Sequence, residues 1–372
     1  MKEKVIVAMS GGVDSSVAAL LLNQQGYDVI GVTMKLYSLD QTDLPDYYRG
    51  CCTLDDVEDA RQVCRILGIP HYVLNVQREF ETFVIDYFCS EYEKGRTPHP
   101  CIACNDKIKF SFLMNRAISL QAKYIATGHY ARIEETSNGF TLKKGLDPTK
   151  DQSYVLFGMD QQELQHTMLP IGNFSKDSIR KMAQDAGFSN ALKPDSQDIC
   201  FIPFGDYKQF LKDRLGTKST GEIVNTEGEV LGNHDGIEYF TIGQRRGLGL
   251  ATGDPLYVLE LDHQSQRVIV GPESSLYQKE TMISKVNYVS GIPPTEPINV
   301  QVKIRYKAKE SPATLTPTSN GASITFNEAQ RALTPGQAAV FYKDDLVVGG
   351  GIIEPIHKGH YEIQSLVTTC PD

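Results

Sequence analysis

Residues 10–16 read SGGVDSS and could bind an anion through the backbone. The run follows an apolar strand pattern, Val5–Met9, and leads into an apolar helical pattern. A tight turn from the carboxyl end of a strand into a helix directs backbone N–H groups to one point, where they favour negative charge. Gly11 and Gly12 carry no Cβ, so this backbone can approach a phosphate closely. Asp14 fits such a cradle if it holds a metal ion, or a leaving pyrophosphate through one.

The residues of the SGGVDSS run indicate which type of phosphate loop it is. It lacks the Gly-Lys-Ser/Thr ending of the common phosphate loop and the glycine spacing of the dinucleotide fingerprint. SGGVDSS instead resembles the pyrophosphatase loop of enzymes that split ATP into AMP and pyrophosphate. The structural alternative is a strand–turn–helix joint with a capping serine.

Cysteines form the second group with chemical potential. Cys101 and Cys104 lie in TPHPCIACN, and Cys104 is predicted at the start of a helix over 105–121. A helix N-terminus with lysines nearby favours thiolate over thiol. Cys200 lies in KPDSQDICF, 96 positions after Cys104 (200 minus 104), so only folding can bring the two together. Cys64 and Cys89 have helical spacing and are predicted as core residues. No role is predicted for Cys51, Cys52 or Cys370.

Three interpretations of the first cysteine group stay open. Cys101 and Cys104, with a distant cysteine and His99, could hold zinc. Cys101, Cys104 and Cys200 could ligate an iron–sulfur cluster that leaves one iron open. Two of the cysteines could instead handle sulfur by persulfide and disulfide exchange. One CxxC pair does not decide among them.

The elements that must position these groups alternate along the first half of the chain. Strands predicted at 5–9, 29–34, 72–76 and 124–127 are separated by helical patterns at 15–25, 55–67, 79–92 and 105–121. Such alternation predicts an α/β fold with a parallel sheet, in which ligands bind beyond the carboxyl ends of the strands. Another helix is predicted from Ser175 to Ala186.

The second half has a different texture. Glycine-rich turns and short strands follow about residue 205, and regular alternation of apolar and polar residues starts near 289. We therefore predict an ATP-binding domain over 1–205, a small β-rich domain over 206–288 and a C-terminal β-barrel over 289–372. Along the strand predicted through 300–309, basic residues share one face as a stripe for RNA phosphates: Lys303, Arg305, Lys307 and Lys309.

Composition limits the function classes. The chain has 372 residues and a net charge of −9 at pH 7, which gives no general sign of nucleic-acid binding. No apolar run approaches the roughly 20 residues of a membrane helix, and the N-terminus does not look like a signal peptide. These features predict a cytoplasmic protein without a membrane partner.

Several motifs in one order resemble the tRNA-specific 2-thiouridylase family of the ATP pyrophosphatase superfamily. Besides SGGVDSS and the Cys104 segment they are ATGHYAR at 126–132, KDQSYVL at 150–156, SQDICFIP at 196–203, TIGQRRGLG at 241–249, and LTPGQAAVFY and GGGII near the end. They span nearly the whole chain. The ATP loop alone is also typical of amide-forming synthetases such as argininosuccinate synthetase, which remain the alternative enzyme class.

The resemblance implies an enzyme that replaces the C2 oxygen of the wobble uridine of tRNA with sulfur. The uridine O2 would be adenylated by ATP with Mg²⁺, and sulfur would then displace AMP. It implies that Cys200 carries a persulfide received from a sulfur-relay protein, that Cys104 is the nucleophile and that Asp14 positions pyrophosphate and Mg²⁺. Some relatives have Asp at the position of Cys101. Because this chain has Cys there, Cys101, Cys104 and Cys200 make a set of three, and a version that uses a [4Fe-4S] cluster is the alternative.

The resemblance also assigns binding residues. The ATP site would comprise Ala8, Met9, Ser10, Gly11, Gly12, Val13, Asp14, Ser15, Met34 and Gly128. The tRNA would contact His99, Pro100, Cys101, His129, Lys150, Asp151, Gln152, Arg305, Tyr306 and Gln337, the first three of them at the target base.

Overall fold

The computed structural model describes residues 2–37, 54–195, 199–202, 205–216, 220–251 and 253–355. Cys51, Cys52 and Cys370, for which no role is predicted, lie outside the described residues, as do 196–198 and 203 of the SQDICFIP motif. Among the described residues no helix has the length and apolar character needed to span a membrane.

The helices of the described residues lie mainly in the first 215 positions. They are α1 (Val13–Gln24), α2 (Leu54–Leu67), α3 (Gln77–Phe80), α4 (Asp86–Glu93), α5 (Pro100–Ala103), α6 (Leu113–Ser119), α7 (Gln161–Gln165), α8 (Lys176–Asp185) and α9 (Tyr207–Leu215). Two π-helical stretches, Glu81–Ile85 and Cys104–Phe112, join α3 to α4 and α5 to α6.

The strands fall into three sheets. In chain order they are β1 (Lys4–Ala8), β2 (Asp28–Lys35), β3 (His71–Asn75), β4 (Tyr124–Ala126), β5 (Ala131–Thr136), β6 (Gly139–Lys144), β7 (Thr167–Met168), β8 (Gly221–Val224), β9 (Val230–His234), β10 (Tyr257–Asp262), β11 (Arg267–Gly271), β12 (Tyr277–Tyr288), β13 (Ile298–Lys303), β14 (Ser311–Thr318), β15 (Gly321–Arg331), β16 (Ala338–Lys343) and β17 (Leu346–Glu354).

The N-terminal sheet is parallel, with the strand order β3-β2-β1-β4-β7. Successive residues of β1 point to opposite faces: Val5 and Val7 pack with α1, α2 and α8, whereas Ile6 packs with the helices of residues 77–119. Both faces of the sheet are therefore covered, which explains why its central strand is apolar at every position after Lys4. The predicted α/β fold is confirmed.

The C-terminal sheet closes into a barrel. Its strands follow the order β12-β15-β14-β13-β16-β17, and β12 also pairs with β17. The predicted β-barrel is confirmed, but β12 precedes our boundary at 289 and still belongs to this sheet. A hairpin from the N-terminal region, β5 and β6, extends the sheet through a pairing of Lys143 with Leu346. Sequence alternation does not reveal that a hairpin of one region pairs with another.

The middle region contains a small sheet of its own. Its strand order is β10-β11-β8-β9, and its apolar side chains form a separate cluster that includes Ile223, Val258 and Val268. The β-rich character predicted for this region is confirmed. The cavity described below is lined both by residues at the carboxyl end of the parallel sheet and by residues 303 and 306–308 at the barrel.

Candidate active site

The SGGVDSS loop lies between β1 and α1. Gly11 has a φ of +74°, and a Cβ at this position would lie 2.3 Å from the backbone oxygen of Asp56, so only glycine fits. The backbone N–H of Ser10 donates to the Ser15 hydroxyl at 3.2 Å. The N-cap of α1 is Gly12, with no side-chain cap hydrogen bond. The capping serine of the structural alternative is therefore not found, and the first N–H groups of α1 stay uncapped by side chains.

A cavity of about 1080 Å³ opens above this loop, at the carboxyl end of the parallel sheet. Nine of the ten residues predicted for the ATP site line it: Ala8, Met9, Ser10, Gly12, Val13, Asp14, Ser15, Met34 and Gly128. The tenth, Gly11, is buried behind the loop against α2. An added Cβ on Gly128 would lie 2.6 Å from the backbone nitrogen of Ser15, so the glycine lets the end of β4 approach the loop.

Asp14 takes part in a network of charged groups at this cavity. Its Oδ1 accepts a hydrogen bond from the Tyr130 hydroxyl at 2.6 Å. Both carboxylate oxygens also accept from the Lys176 ammonium at 2.8 Å. Lys176 contacts Asp195 at 2.7 Å, and Lys150 contacts the other oxygen of Asp195 at 2.8 Å. These contacts hold the carboxylate of Asp14, which lines the cavity.

Sequence patterns do not identify several of these partners. The sequence predicts Lys176 only as a residue of a helix with a capping serine. Tyr130 and Asp195 belong to recognised motifs, but no role is predicted for them. Asn190 belongs to no motif, although its amide donates to the Gly11 carbonyl at 2.9 Å and to the Ser16 hydroxyl at 3.0 Å. None of these side chains shows a spacing pattern, and the contacts of Tyr130, Lys176 and Asn190 with the ATP loop join segments more than 100 positions apart.

The cysteine segment differs from our prediction. The helical segment begins at Pro100, so Cys104 lies one turn inside it and not at its start. Proline is favoured at the first position of a helix, where its missing N–H costs nothing, and this explains the earlier start. The exposed Cys101 occupies the first turn instead. The argument for a thiolate at Cys104 from a helix N-terminus is therefore wrong.

Cys104 and Cys200 both pack with one large apolar cluster. Cys104 is 8% exposed and belongs to the apolar cluster on one face of the parallel sheet. Cys200 is half-buried and packs against the same cluster, next to the buried Phe201. Cys64 and Cys89 are buried as predicted, and burial raises the pKa of each thiol to about 11. Cys89 therefore shares its cluster with Cys104 and Cys200, whereas Cys64 belongs to the apolar cluster on the other face of the sheet.

The described residues offer no preformed metal centre with three or more His, Cys, Asp or Glu ligands. The arrangement of Cys101, Cys104 and Cys200 therefore does not fit a cluster site, and that of His99 with these cysteines does not fit a zinc site. Magnesium differs, because it is commonly bound by one or two carboxylates together with phosphates. The Asp14 carboxylate at the cavity fits that kind of site.

The segment predicted to meet the target base is tied to the barrel. The backbone N–H of Thr97 donates to the Pro335 carbonyl at 2.8 Å, and the Gln337 amide donates to the Thr97 carbonyl at 2.8 Å. Arg96 forms a bidentate ion pair with Glu354 at the end of β17. Gln337, predicted to contact tRNA, therefore also positions the segment that leads to Cys101.

Burial governs the chemistry of His99. Its ring lies near the rings of Tyr154 and Tyr306, with centroids 5.9 and 6.2 Å away, and its Nδ1 is buried without a hydrogen-bond partner. Burial lowers the pKa of His99 to about 4. The imidazole is therefore neutral at physiological pH and could exchange a hydrogen bond with a neutral base.

We expect the His99 imidazole to titrate near pH 4 in the folded protein and near pH 6.5 after unfolding. Between these values the unfolded chain binds a proton that the folded protein does not. The free energy of unfolding should therefore fall by about 3 kcal/mol as the pH falls from 6.5 to 4. NMR titration of the ring, assigned by its loss in His99→Gln, measures the pKa directly. A folded-state pKa near 6.5 would contradict the buried environment.

Other predicted tRNA contacts mainly brace loops. His129 is 7% exposed, hydrogen-bonds Thr127 at 2.7 Å and lines the cavity, while burial lowers its pKa well below the usual value. The Asp151 carboxylate accepts hydrogen bonds from Gly145 and Ser153. Gln152 accepts from the backbone of Tyr130 at 3.0 Å. Together with Lys150, these three predicted residues line the same cavity as the ATP loop.

The predicted basic stripe on one strand is wrong. Strand β13 ends at Lys303, so the following basic residues do not share its face. The Arg305 guanidinium donates to the backbone carbonyls of Arg331 and Ala332. Tyr306 turns toward His99, and its hydroxyl is 3.5 Å from the Asp151 carbonyl. Lys303, Tyr306 and Lys307 line the cavity, so the barrel supplies one wall of it.

Family models match three consecutive parts of the chain. A model described as "tRNA methyl transferase HUP domain" matches residues 3–204, more than half of the chain. A "PRC-barrel domain" model of the same series matches residues 208–272, and an "aminomethyltransferase beta-barrel domain" model matches residues 278–353.

Two curated relatives have closely similar sequences. The tRNA-specific 2-thiouridylase MnmA of Halothermothrix orenii is 48% identical over 95% of this chain and 99% of its own length. The protein of the same name from Clostridioides difficile is 49% identical over 95% of this chain and 99% of its own length. Among solved structures, a 4-thiouridine synthetase–RNA complex with bound ATP is 17% identical over 57% of this chain and 50% of that chain, with a TM-score of 0.34.

The two curated relatives carry the conclusion, because similarity at this level covers 95% of the chain. It also favours the predicted family over the amide-forming synthetases. The chain belongs to the tRNA-specific 2-thiouridylase family.

Proposed function

We propose that this protein is an ATP-dependent tRNA-uridine 2-sulfurtransferase that forms 2-thiouridine, AMP and pyrophosphate. The observation that carries the proposal is the 48–49% identity to curated 2-thiouridylases across 95% of the chain. The cavity between the ATP loop and the barrel supports the proposal, because the reaction requires one space in which an RNA base and a nucleotide meet.

The first half of the proposed reaction is adenylation. The uridine O2 attacks the α-phosphorus of ATP, an oxygen–phosphorus bond forms, and pyrophosphate leaves with its electron pair. Such a displacement depends on positioning and charge neutralisation more than on covalent help. The backbone of residues 10–15 is placed to bind the phosphates, and Asp14 would hold Mg²⁺, which neutralises pyrophosphate charge. Gly128 and Met34 line the same cavity, and in our proposal they bind the nucleoside.

The second half replaces oxygen by sulfur. In our proposal the terminal sulfur of a Cys200 persulfide attacks C2, and the C2–O bond breaks as AMP leaves. Cys104 then attacks the Cys200 sulfur, which releases the thiolated base and forms a disulfide between the two cysteines. Alternatively, Cys104 attacks the Cys200 persulfide first, and the hydrogen sulfide that it releases displaces AMP. In both orders an external dithiol supplies two electrons to reduce the disulfide.

The partners of this reaction are tRNA and a protein that delivers persulfide sulfur. We propose that the target uridine leaves its stack to reach the cavity that Tyr306 helps to line. A cytoplasmic location suits both substrates. The [4Fe-4S] alternative is not carried into the mechanism, because Cys101, Cys104 and Cys200 do not form a ligand group in the described arrangement.

The test is a complete assay with protein purified without oxygen. Wild-type protein, ATP, Mg²⁺, unmodified tRNA and a persulfide donor should yield 2-thiouridine and AMP in equal amounts, as measured by nucleoside mass spectrometry. Iron and labile sulfide should be far below one equivalent in the active preparation. Turnover that requires stoichiometric iron and sulfide would replace the persulfide scheme, and AMP without thiolated tRNA would contradict the proposed function.

A further inference from the structure

Lys176 is a buried cation at the ATP loop. It is the first residue of α8, and its side chain is only 6% exposed. Its ammonium lies within hydrogen-bond distance of three carboxylate oxygens, at 2.8 Å from each oxygen of Asp14 and 2.7 Å from one oxygen of Asp195. An ammonium has three N–H donors, so all of them can be used. A buried charge requires such complete pairing, because its desolvation is costly.

The two carboxylates held by Lys176 belong to different parts of the proposed reaction. Asp14 lies in the loop assigned to adenylation, whereas Asp195 precedes Cys200 by five positions (200 minus 195). Burial alone would raise the pKa of Asp195, but the ammonium groups of Lys150 and Lys176 outweigh it and hold that pKa below its usual value. Asp195 is therefore ionised and firmly attached to Lys176.

The backbone around Lys176 is also anchored. Its N–H donates to the Asp147 carboxylate at 3.1 Å, and the Ser175 side chain caps the helix. Helix α8 packs on α1, the helix that follows the ATP loop. Lys176 consequently has little freedom to move away from its two carboxylates. Its ammonium is a bridge that joins Asp14 of the ATP loop to Asp195.

We infer that Lys176 is a positioning residue that holds the carboxylates of Asp14 and Asp195 in one geometry and, because Asp195 precedes Cys200 by only five positions, serves both halves of the reaction. The inference rests on the proposed function and extends it to a residue that acts through two carboxylates rather than on the phosphates or the sulfur. If so, the position of Asp195, and through it that of Cys200, depends on the same loop, residues 10–16, that is proposed to bind the leaving pyrophosphate.

Removing the cation should impair both half-reactions. In Lys176→Met, Asp14 and Asp195 lose their shared partner and repel each other. A displacement of about 1 Å at a reacting centre can cost about 100-fold in rate. We expect tRNA-dependent exchange of pyrophosphate into ATP to fall about 100-fold, through kcat more than through the KM for tRNA. We also expect fewer thiolated tRNAs per AMP released.

Asp195→Asn separates the two roles. It leaves Lys176 paired with Asp14 but weakens the attachment of the Cys200 segment. We expect the yield of 2-thiouridine per AMP to fall about tenfold or more, with a much smaller loss of pyrophosphate exchange. Lys181→Met is the matched control, because Lys181 is exposed on the same helix and should change neither quantity.

The outcomes are distinct. If the Lys176→Met protein folds and its rate of pyrophosphate exchange stays within threefold of the wild-type rate, the inference is overturned. If Lys176→Met does not fold, Asp195→Asn decides alone: a 2-thiouridine-to-AMP ratio equal to that of wild type overturns the coupling. Wild-type protein that forms no 2-thiouridine would instead contradict the proposed function, so the two failures are distinguishable.

Discussion

Cys200→Ser is expected to lower the rate of 2-thiouridine formation by about 1000-fold or more, while tRNA-dependent pyrophosphate exchange continues. A serine hydroxyl cannot accept and pass on sulfane sulfur, whereas the adenylation site is built from other residues. Cys104→Ser should have the same effect on thiolation, because no thiolate remains to resolve the persulfide. Both substitutions replace one polarisable atom at a half-buried or buried position and leave the backbone unchanged, so folding should persist.

Cys89→Ala is the matched control for these variants. Cys89 is 6% exposed and packs in the same apolar cluster as Cys104, yet the proposed reaction does not use it. Its loss should cost only about 1 kcal/mol of stability, as expected for a small core truncation. Thiolation at the wild-type rate in either Cys104→Ser or Cys200→Ser would refute the sulfur-transfer scheme.

Asp14→Ala is expected to reduce tRNA-dependent pyrophosphate exchange by about 1000-fold while the protein stays folded. The substitution removes the carboxylate placed to hold Mg²⁺ beside the pyrophosphate, and charge neutralisation is the main source of catalysis in such a displacement. The substitution also removes two of the three carboxylate oxygens that pair the buried Lys176, so it should lower the stability. Asp14 is 29% exposed, however, and the remaining contact of Lys176 with Asp195 should keep the protein folded. The thermal unfolding curve measures this second part.

A control for Asp14→Ala is Asp28→Ala, which removes an exposed carboxylate at the start of β2. It should leave exchange unchanged. If Asp14→Ala retained exchange within tenfold of wild type, the loop would bind nucleotide without acting in adenylation. Loss of exchange together with loss of the folded state would show that Asp14 is needed for the fold, and Asp14→Asn would then replace it as the test variant.

The fold was predictable where the local pattern determines structure. The loop between Val5–Met9 and the first helix combines glycine, a strand end and a helix start, and these short-range constraints place it at the carboxyl edge of the sheet. The core cysteines 64 and 89 followed from helical spacing in the same way. The position of Cys104 did not follow, because two prolines before the cysteines resemble a stiff approach to a helix, whereas Pro100 is the first residue of the helix itself.

The strand prediction through 300–309 shows a second limit. Alternation continues past Lys303, but pairing with β16 ends there, and Arg305 instead donates to the carbonyls of Arg331 and Ala332. Period-two alternation reports that a strand is compatible with the residues. It does not report where the partner strand stops.

By itself, the sequence determined the ATP loop, the two cysteine segments and the family, because each depends on residue types within a short run. Tertiary structure alone decided what surrounds them: that the barrel supplies a wall of the cavity, that Gln337 holds the backbone at Thr97, and that Lys176 joins Asp14 to Asp195. The contact between Gln337 and Thr97, for example, connects positions 240 residues apart. The energies of such contacts come from burial and charge pairing in the folded state, and neither leaves a periodic trace in the sequence.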